Sequence, residues 1–360
     1  MSLIFKSGTV FARAIGLALI TILIVFYVPS AWGNDVQTTI TPQPLGIALD
    51  EYEYPYPVTY RTLSIEGQDA RMAYMDVASV PNRSNGETVL LMHGKNFFGA
   101  YWNDTIKALR SSGYRVVVPD QIGFGKSAKP DIAYSFELLA ENTKSLLDEL
   151  NIENVHVVGH SMGGMLAARF ALMYPQFVTS LTLENPIGLE DYRQKVPFRD
   201  IEAEYESILS WTEKSIRDYH RTYYVEWRDA YDEYVMVHYR WTLGGEWPRL
   251  AWATASTFEM VYTQPIVQDL PMISVPTLLV IGQADRTTLG RGRVSDEVLE
   301  TLGQYPELGR AAAQAIPDAT LVELQNVGHI PHFEAPQSFH KTLIKFLSEQ
   351  SRGRVKIYTN

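Results

Sequence analysis

The chain has 360 residues, a formal net charge of −10 and no cysteine. At roughly 150 residues per domain the length points to two domains, and a composition 46% hydrophobic and 20% charged supplies a large core. The absent cysteine excludes disulfides, thiolate metal sites, a cysteine nucleophile and a lipid-bearing cysteine, while the acidic balance argues against nucleic acid as the main partner.

Lys6 and Arg13 precede an apolar run of 15 residues, Ala14 to Val28, which Pro29 and Ser30 break before Ala31-Trp32-Gly33. A basic stretch, an apolar stretch and a small-x-small triplet in that order read as a secretory signal over residues 1–33, cleaved after Gly33. The alternative is an uncleaved N-terminal membrane anchor, for which the run falls short of the 18 apolar residues a span needs. Either reading puts the folded part outside the cytoplasm, periplasmic or secreted, where a chain without cysteine cannot mispair. Residues 34–57, with Thr41-Pro42-Gln43-Pro44 and a Tyr/Pro run from Tyr52 to Pro57, read as an extended tether.

Strands and helices then alternate. Val58–Glu66 and Ala70–Val77 form a hairpin turning at Gly67. Thr88–Met92 is an apolar strand ending at His93-Gly94, Asp104–Arg110 a helix stopped by Gly113, and Arg115–Val118 a strand. Ser135–Leu150 carries apolar residues at helical spacing. Val155–Val158 and Ser180–Leu183 are strands flanking a helix at Met162–Tyr174. Thr277–Ile281 and Thr320–Leu324 are the last strands, with helices at Asp296–Leu302 and Gln337–Leu347. Strands flanked by helices predict a mainly parallel sheet covered on both faces.

Residues 189–260 break the rhythm. They hold no clear strand, 15 of the 42 aromatic residues, and 14 acidic against 9 basic residues. The segment reads as a helical insertion packed over one end of the sheet, most of its aromatics forming its own core and a few facing a pocket. Its negative charge mildly disfavours polyanionic substrates.

Gly159-His160-Ser161-Met162-Gly163-Gly164 has the form G-x-S-x-G between a strand and a helix. A sharp turn there lifts the Ser161 hydroxyl to the tip of the sheet and aims the N–H groups of the helix start at developing negative charge; Gly159 and Gly163 avoid clashes beside the strained nucleophile. Serine needs a base. Of eight histidines, His329 is the best placed, after the last strand and before the last helix, with His332 its rival. His156 lies inside a strand and reads as core, and His160 adjoins the serine too closely in the backbone to fold onto its hydroxyl. The acid that orients the base is Asp285, after Thr277–Ile281, with Glu184 its competitor.

Ser161, Asp285 and His329 in this order, with His93-Gly94 upstream, resemble the α/β-hydrolase family over residues 58–348. The resemblance implies an α/β fold with a mostly parallel eight-stranded sheet flanked by helices, its core formed by residues 58–188 and 261–350 and its cap by 189–260. It also implies an oxyanion hole made by the backbone N–H groups of Lys95 and Met162, although this chain has Asn96 where many relatives have proline. The turn from Asp120 to Ser127 matches the one after the family's fourth strand, and Asp120 and Ser127 read as structural. Ser161 stands where epoxide hydrolases and haloalkane dehalogenases need a carboxylate, and the cap is wetter than a lipase lid. The expected activity is hydrolysis of a small-molecule carboxylic ester through an acyl-enzyme, with no cofactor and no metal. The alternatives are a carbon–carbon bond hydrolase, a cofactor-free perhydrolase, a prolyl aminopeptidase-like enzyme and a non-catalytic binding protein of this fold.

Overall fold

Every residue of Thr88–Met92, Val155–His160, Val178–Glu184 and Thr277–Gly282 is buried, as strands covered on both faces require. The computed structural model describes residues 42–352, so the predicted signal and the first part of the predicted tether lie outside the described residues. In chain order the elements are β1 (Val58–Ile65), β2 (Gln68–Val77), β3 (Thr88–Met92), α1 (Asn103–Ser111), β4 (Arg115–Pro119), α2 (Phe136–Glu149), β5 (Val155–His160), α3 (Met162–Met173) and β6 (Val178–Glu184). Then follow α4 (Ile201–Leu209), α5 (Glu213–Arg221), α6 (Asp232–Thr242), α7 (Trp247–Thr263), β7 (Thr277–Gly282), α8 (Asp296–Leu299), α9 (Tyr305–Ala315), β8 (Ala319–Leu324), α10 (Pro331–Glu334) and α11 (Pro336–Arg352).

The eight strands make one sheet in the order β1-β2-β4-β3-β5-β6-β7-β8. β2 runs antiparallel to β1 and β4, and the remaining pairs are parallel. Alternate strand residues feed two cores, one on each face. Leu90 and Met92 of β3 join α2, α3 and α9 through Leu139, Leu166 and Ala312. Val89 and Leu91 join α1 and α11 through Leu109 and Leu343. Ser135 caps α2, its side chain accepting the Leu138 N–H at 3.1 Å, which is why that helix begins where a serine precedes its first apolar residue.

Between β6 and β7 the described chain contains helices and no strand, with α4 packed on α7 and α5 on α6. α7 runs to Thr263, beyond the predicted boundary at 260, because the next breaker is Pro265. The aromatics of the segment divide differently from the expectation of a core of their own, which holds for Tyr205, Trp211 and Trp247 around Ile208, Ala251 and Ala255. Tyr224, Tyr231, Tyr234 and Trp241 are buried in the core on the α1/α11 face, while Trp211, Tyr219, Tyr223 and Phe258 line a cavity.

Two expectations shift. The helix predicted at Asp296–Leu302 is the single turn α8, and the longer helix of this region is α9, opened by Pro306 in its first turn. Residues 42–57, within the expected tether, contain neither helix nor strand, yet they are fastened down. Leu45 and Leu49 are buried. The Leu45 N–H donates to the Arg240 carbonyl at 3.0 Å, and Arg240 Nε returns a bond to the Gln43 carbonyl at 2.7 Å. Lys129 Nζ donates to the Ile47 carbonyl at 2.8 Å and the Tyr54 hydroxyl to Asp120 Oδ2 at 2.6 Å. This stretch therefore clasps α6 to the turn that follows β4.

Candidate active site

The β5–α3 junction is a sharp, strained turn. Ser161 has φ 55° and ψ −121°, a backbone conformation that costs a non-glycine residue on the order of 1–3 kcal/mol and persists only where the surroundings enforce it. The enforcement is steric and polar. A Cβ on Gly159 would lie 2.1 Å from the Gly163 carbonyl oxygen, and one on Gly163 would lie 2.2 Å from that of Met92. The Ser161 N–H donates to the Glu184 carbonyl at 3.1 Å, and the Ser161 carbonyl accepts from Gly164 at 2.9 Å. Met162 opens α3, where backbone N–H groups have no acceptor inside the helix.

Ser161, His329 and Asp285 come together from three strand ends. His329 Nε2 lies 2.9 Å from Ser161 Oγ and His329 Nδ1 lies 2.7 Å from Asp285 Oδ2. Asp285 Oδ1 accepts the Thr287 N–H at 2.8 Å and Oδ2 accepts Asn185 Nδ2 at 2.7 Å, while Asn185 Oδ1 accepts the Gly282 N–H at 2.9 Å. The His329 N–H is tied to the Tyr223 carbonyl at 2.7 Å, and the Tyr223 ring lies over the imidazole with centroids 5.0 Å apart. All three side chains are buried.

The rival residues pair with each other. The Glu184 carboxyl group accepts the His332 backbone N–H at 2.7 Å and His332 Nδ1 at 2.9 Å. His160 bridges the neighbouring loops. Its Nε2 donates to the His329 carbonyl at 2.9 Å and its Nδ1 lies 3.1 Å from the Tyr101 hydroxyl, which accepts the Gly94 N–H at 3.0 Å. Burial, reinforced by His329, holds the His160 imidazole well below its usual pKa, so it stays neutral with the proton on Nε2. His156 is core, bonded to Ser180 Oγ at 2.8 Å. Asp120 and Ser127 organise their turn: Asp120 accepts the Gly99 and Lys126 N–H groups at 2.6 and 2.7 Å, and Ser127 Oγ donates to the Asp120 carbonyl at 2.6 Å.

The His93-Gly94 turn lies against the serine. A Cβ on Gly94 would sit 3.3 Å from Ser161 Cβ, which brings the backbone of the next residue, Lys95, beside Ser161. Ser161 and Lys95 both line a cavity of about 350 Å³ whose other wall comes from the helical segment and the loop after β7. The insertion is acidic as a whole, but the cavity is not. Its charged lining is Lys95, Arg199, Arg291 and Arg293 against Glu204, so the sign of the insertion's net charge does not carry over to the cavity. His220 and His238 also line it, joined at 2.9 Å, and burial pulls the His238 imidazole down to about 4. Among the described residues no group of three or more His, Cys, Asp or Glu could hold a metal ion.

Asn185 and Tyr223 escaped the sequence reading. A polar residue directly after β6, at the carboxyl edge of the sheet, was a signal for Asn185. Tyr223 carried none, being one aromatic among many in the helical segment.

Residues 89–342 match the model of the Alpha/beta hydrolase family. The crystal structure of a probable hydrolytic enzyme from Pseudomonas aeruginosa PAO1 superimposes with a TM-score of 0.83 and 44% sequence identity, covering 85% of this chain and 99% of that one. Lipase 1 of Psychrobacter immobilis is 27% identical over 281 residues, 76% of this chain and 80% of the lipase. A putative non-heme chloroperoxidase of Synechocystis is 27% identical over 222 residues, 56% of this chain and 75% of the relative. With its eight-stranded, mostly parallel sheet and flanking helices, the chain belongs to the alpha/beta hydrolase family.

Proposed function

We propose that this chain is a serine hydrolase that cleaves a small-molecule carboxylic ester through a covalent acyl-enzyme. The observation that carries the reading is the hydrogen-bonded row from Ser161 Oγ through His329 to Asp285, at 2.9 and 2.7 Å, opening on the cavity. Ser161 Oγ attacks the ester carbonyl while His329 Nε2 takes its proton, and Asp285 fixes the tautomer and stabilises the imidazolium. The oxyanion is received by the Lys95 and Met162 N–H groups, preorganised where charge develops. The carbon–oxygen bond then breaks, and His329 passes its proton to the departing alkoxide. Water attacks the acyl-enzyme with His329 as base and releases the acid. Residues 189–260 act as the cap, shaping the acyl and alcohol pockets, and the basic-then-apolar N-terminus supports export.

Turnover of a para-nitrophenyl ester by wild type and Ser161→Ala tests this. The reading expects a loss of at least about 10⁴-fold in a folded variant, and undiminished turnover would refute it. The Synechocystis relative's name favours a second reading, in which peroxide replaces water as the acceptor. Peracid formation from acetate and hydrogen peroxide, abolished with esterase activity in Ser161→Ala, would support it.

A further inference from the structure

We propose that the cavity above Ser161 selects a substrate bearing a carboxylate, held by the Lys95 ammonium with Arg293 beside it. The proposal rests on the serine-hydrolase reading and adds the class of substrate to it.

A chain with a net charge of −10 has gathered four cationic side chains against one carboxylate around this cavity. The carboxylate is already engaged. Glu204 is bonded to Arg293 and lies 3.6 Å from Arg199, so one anion serves two guanidinium groups. Arg291 is exposed at the rim and donates to the Arg286 carbonyl at 2.7 Å. Lys95 is different. Its Nζ donates to the Thr254 carbonyl at 3.1 Å. An ammonium carries three donors, so two remain for a ligand. Lys95 Nζ and the Arg293 guanidinium lie 5.9 and 4.8 Å from the centre of the same Phe258 ring, so both cations border the cavity beside Phe258. Glu204 reaches Lys95 electrostatically but is bonded to Arg293, so the ammonium rests on a neutral carbonyl; a desolvated cation so placed is costly, and a substrate carboxylate supplies a nearer counter-charge. A singly charged group fits better than a phosphate dianion, because Arg199 and Arg293 already share Glu204, which leaves Lys95 as the inward cation of this cavity still to be matched.

Lys95 and Ser161 line the same cavity of about 350 Å³, so a substrate whose carbonyl meets Ser161 can present a carboxylate to Lys95 from within it. A half-ester of a short dicarboxylic acid carries both groups.

The test compares the mono-para-nitrophenyl ester of glutaric acid with para-nitrophenyl pentanoate, in wild type, Lys95→Met and Arg293→Met. The expected result is a kcat/KM ratio favouring the anionic ester at least about tenfold in wild type. The ratio should fall at least about tenfold in Lys95→Met and move the same way in Arg293→Met. A ratio near one in wild type, or a ratio unchanged in folded Lys95→Met, overturns the proposal. Calorimetric titration of Ser161→Ala with glutarate and with glutaramide separates this from the catalytic reading. If wild type turns over neither ester the hydrolase reading fails, yet tight glutarate binding that is lost on adding Lys95→Met still upholds the anion site. Equal affinity for glutarate and glutaramide removes it.

Discussion

Glu184 and His332 are bound to each other twice over, the carboxyl group accepting the His332 N–H at 2.7 Å and its Nδ1 at 2.9 and 3.0 Å from the two oxygens. A second acid–histidine pair, Asp285–His329, lies alongside, and the His160 ring sits between them with centroids 4.9 Å from His329 and 5.4 Å from His332. Only His329 of the two reaches Ser161. Asp285→Asn should therefore lower kcat about 10⁴-fold by presenting the wrong tautomer. Glu184→Gln should lower kcat less than about tenfold and cost about 1–3 kcal/mol of stability through a weakened buried hydrogen-bond pair. Ester kinetics with urea unfolding of both variants check the contrast, and the reverse order would transfer the catalytic role to Glu184.

The elbow leaves no room at Gly163. A methyl group there would meet the Met92 carbonyl oxygen at 2.2 Å and that of His93 at 2.6 Å, so α3 must move away from β3 or the turn must open. Gly163→Ala should lose both activity and several kcal/mol of stability, as overpacking does. Circular dichroism melts beside ester assays read both losses.

Lys95 should reveal itself through stability as well as through substrates. Burial pulls its ammonium down to about 8, against the opposing pull of Glu204, so at neutral pH the folded protein bears the cost of a desolvated charge. That cost is fully present below pH 8 and disappears as pH rises toward the ordinary lysine value, where the unfolded chain also loses the proton. Lys95→Met should raise Tm at pH 7, and the gain should shrink between about pH 8 and pH 10.5. Differential scanning fluorimetry across that range measures it. A residue that weakens the fold while lining the cavity follows the trade of stability for function.

The clasp formed by residues 42–57 should contribute to folding. Leu45 is 3% exposed, and its backbone is bonded to Arg240 on α6. Leu45→Ala should cost about 2–4 kcal/mol, and Tyr54→Phe, which removes a 2.6 Å bond to Asp120, about 1 kcal/mol. Urea midpoints of the two variants give both figures.

The strands at the centre of the sheet were legible because their apolar runs end at glycines and histidines, as Thr88–Met92 does before His93-Gly94. The elbow was legible because its glycines stand at fixed offsets from Ser161, and His329 and Asp285 as its candidate partners because both follow strands. Local pattern could not show that Glu184 and His332, each a plausible alternative, meet each other, since 148 residues separate them. Nor could net charge show which side chains face the cavity. The insertion's acidic excess includes Asp218 and Glu226, which are exposed, while Arg199 and Arg293 turn inward. The Pro-rich start looked like a free tether because proline removes donors, but Leu45 and Leu49 give it apolar anchors that a tally of prolines passes over.

If Ser161 is an activated nucleophile, covalent trapping reads it without any guess about substrate. Folded wild-type protein treated with a fluorophosphonate should gain one adduct on the peptide containing Ser161, as mapped by mass spectrometry, and Ser161→Ala should gain none. An unlabelled wild type, or an adduct that persists at another residue in Ser161→Ala, would contradict it.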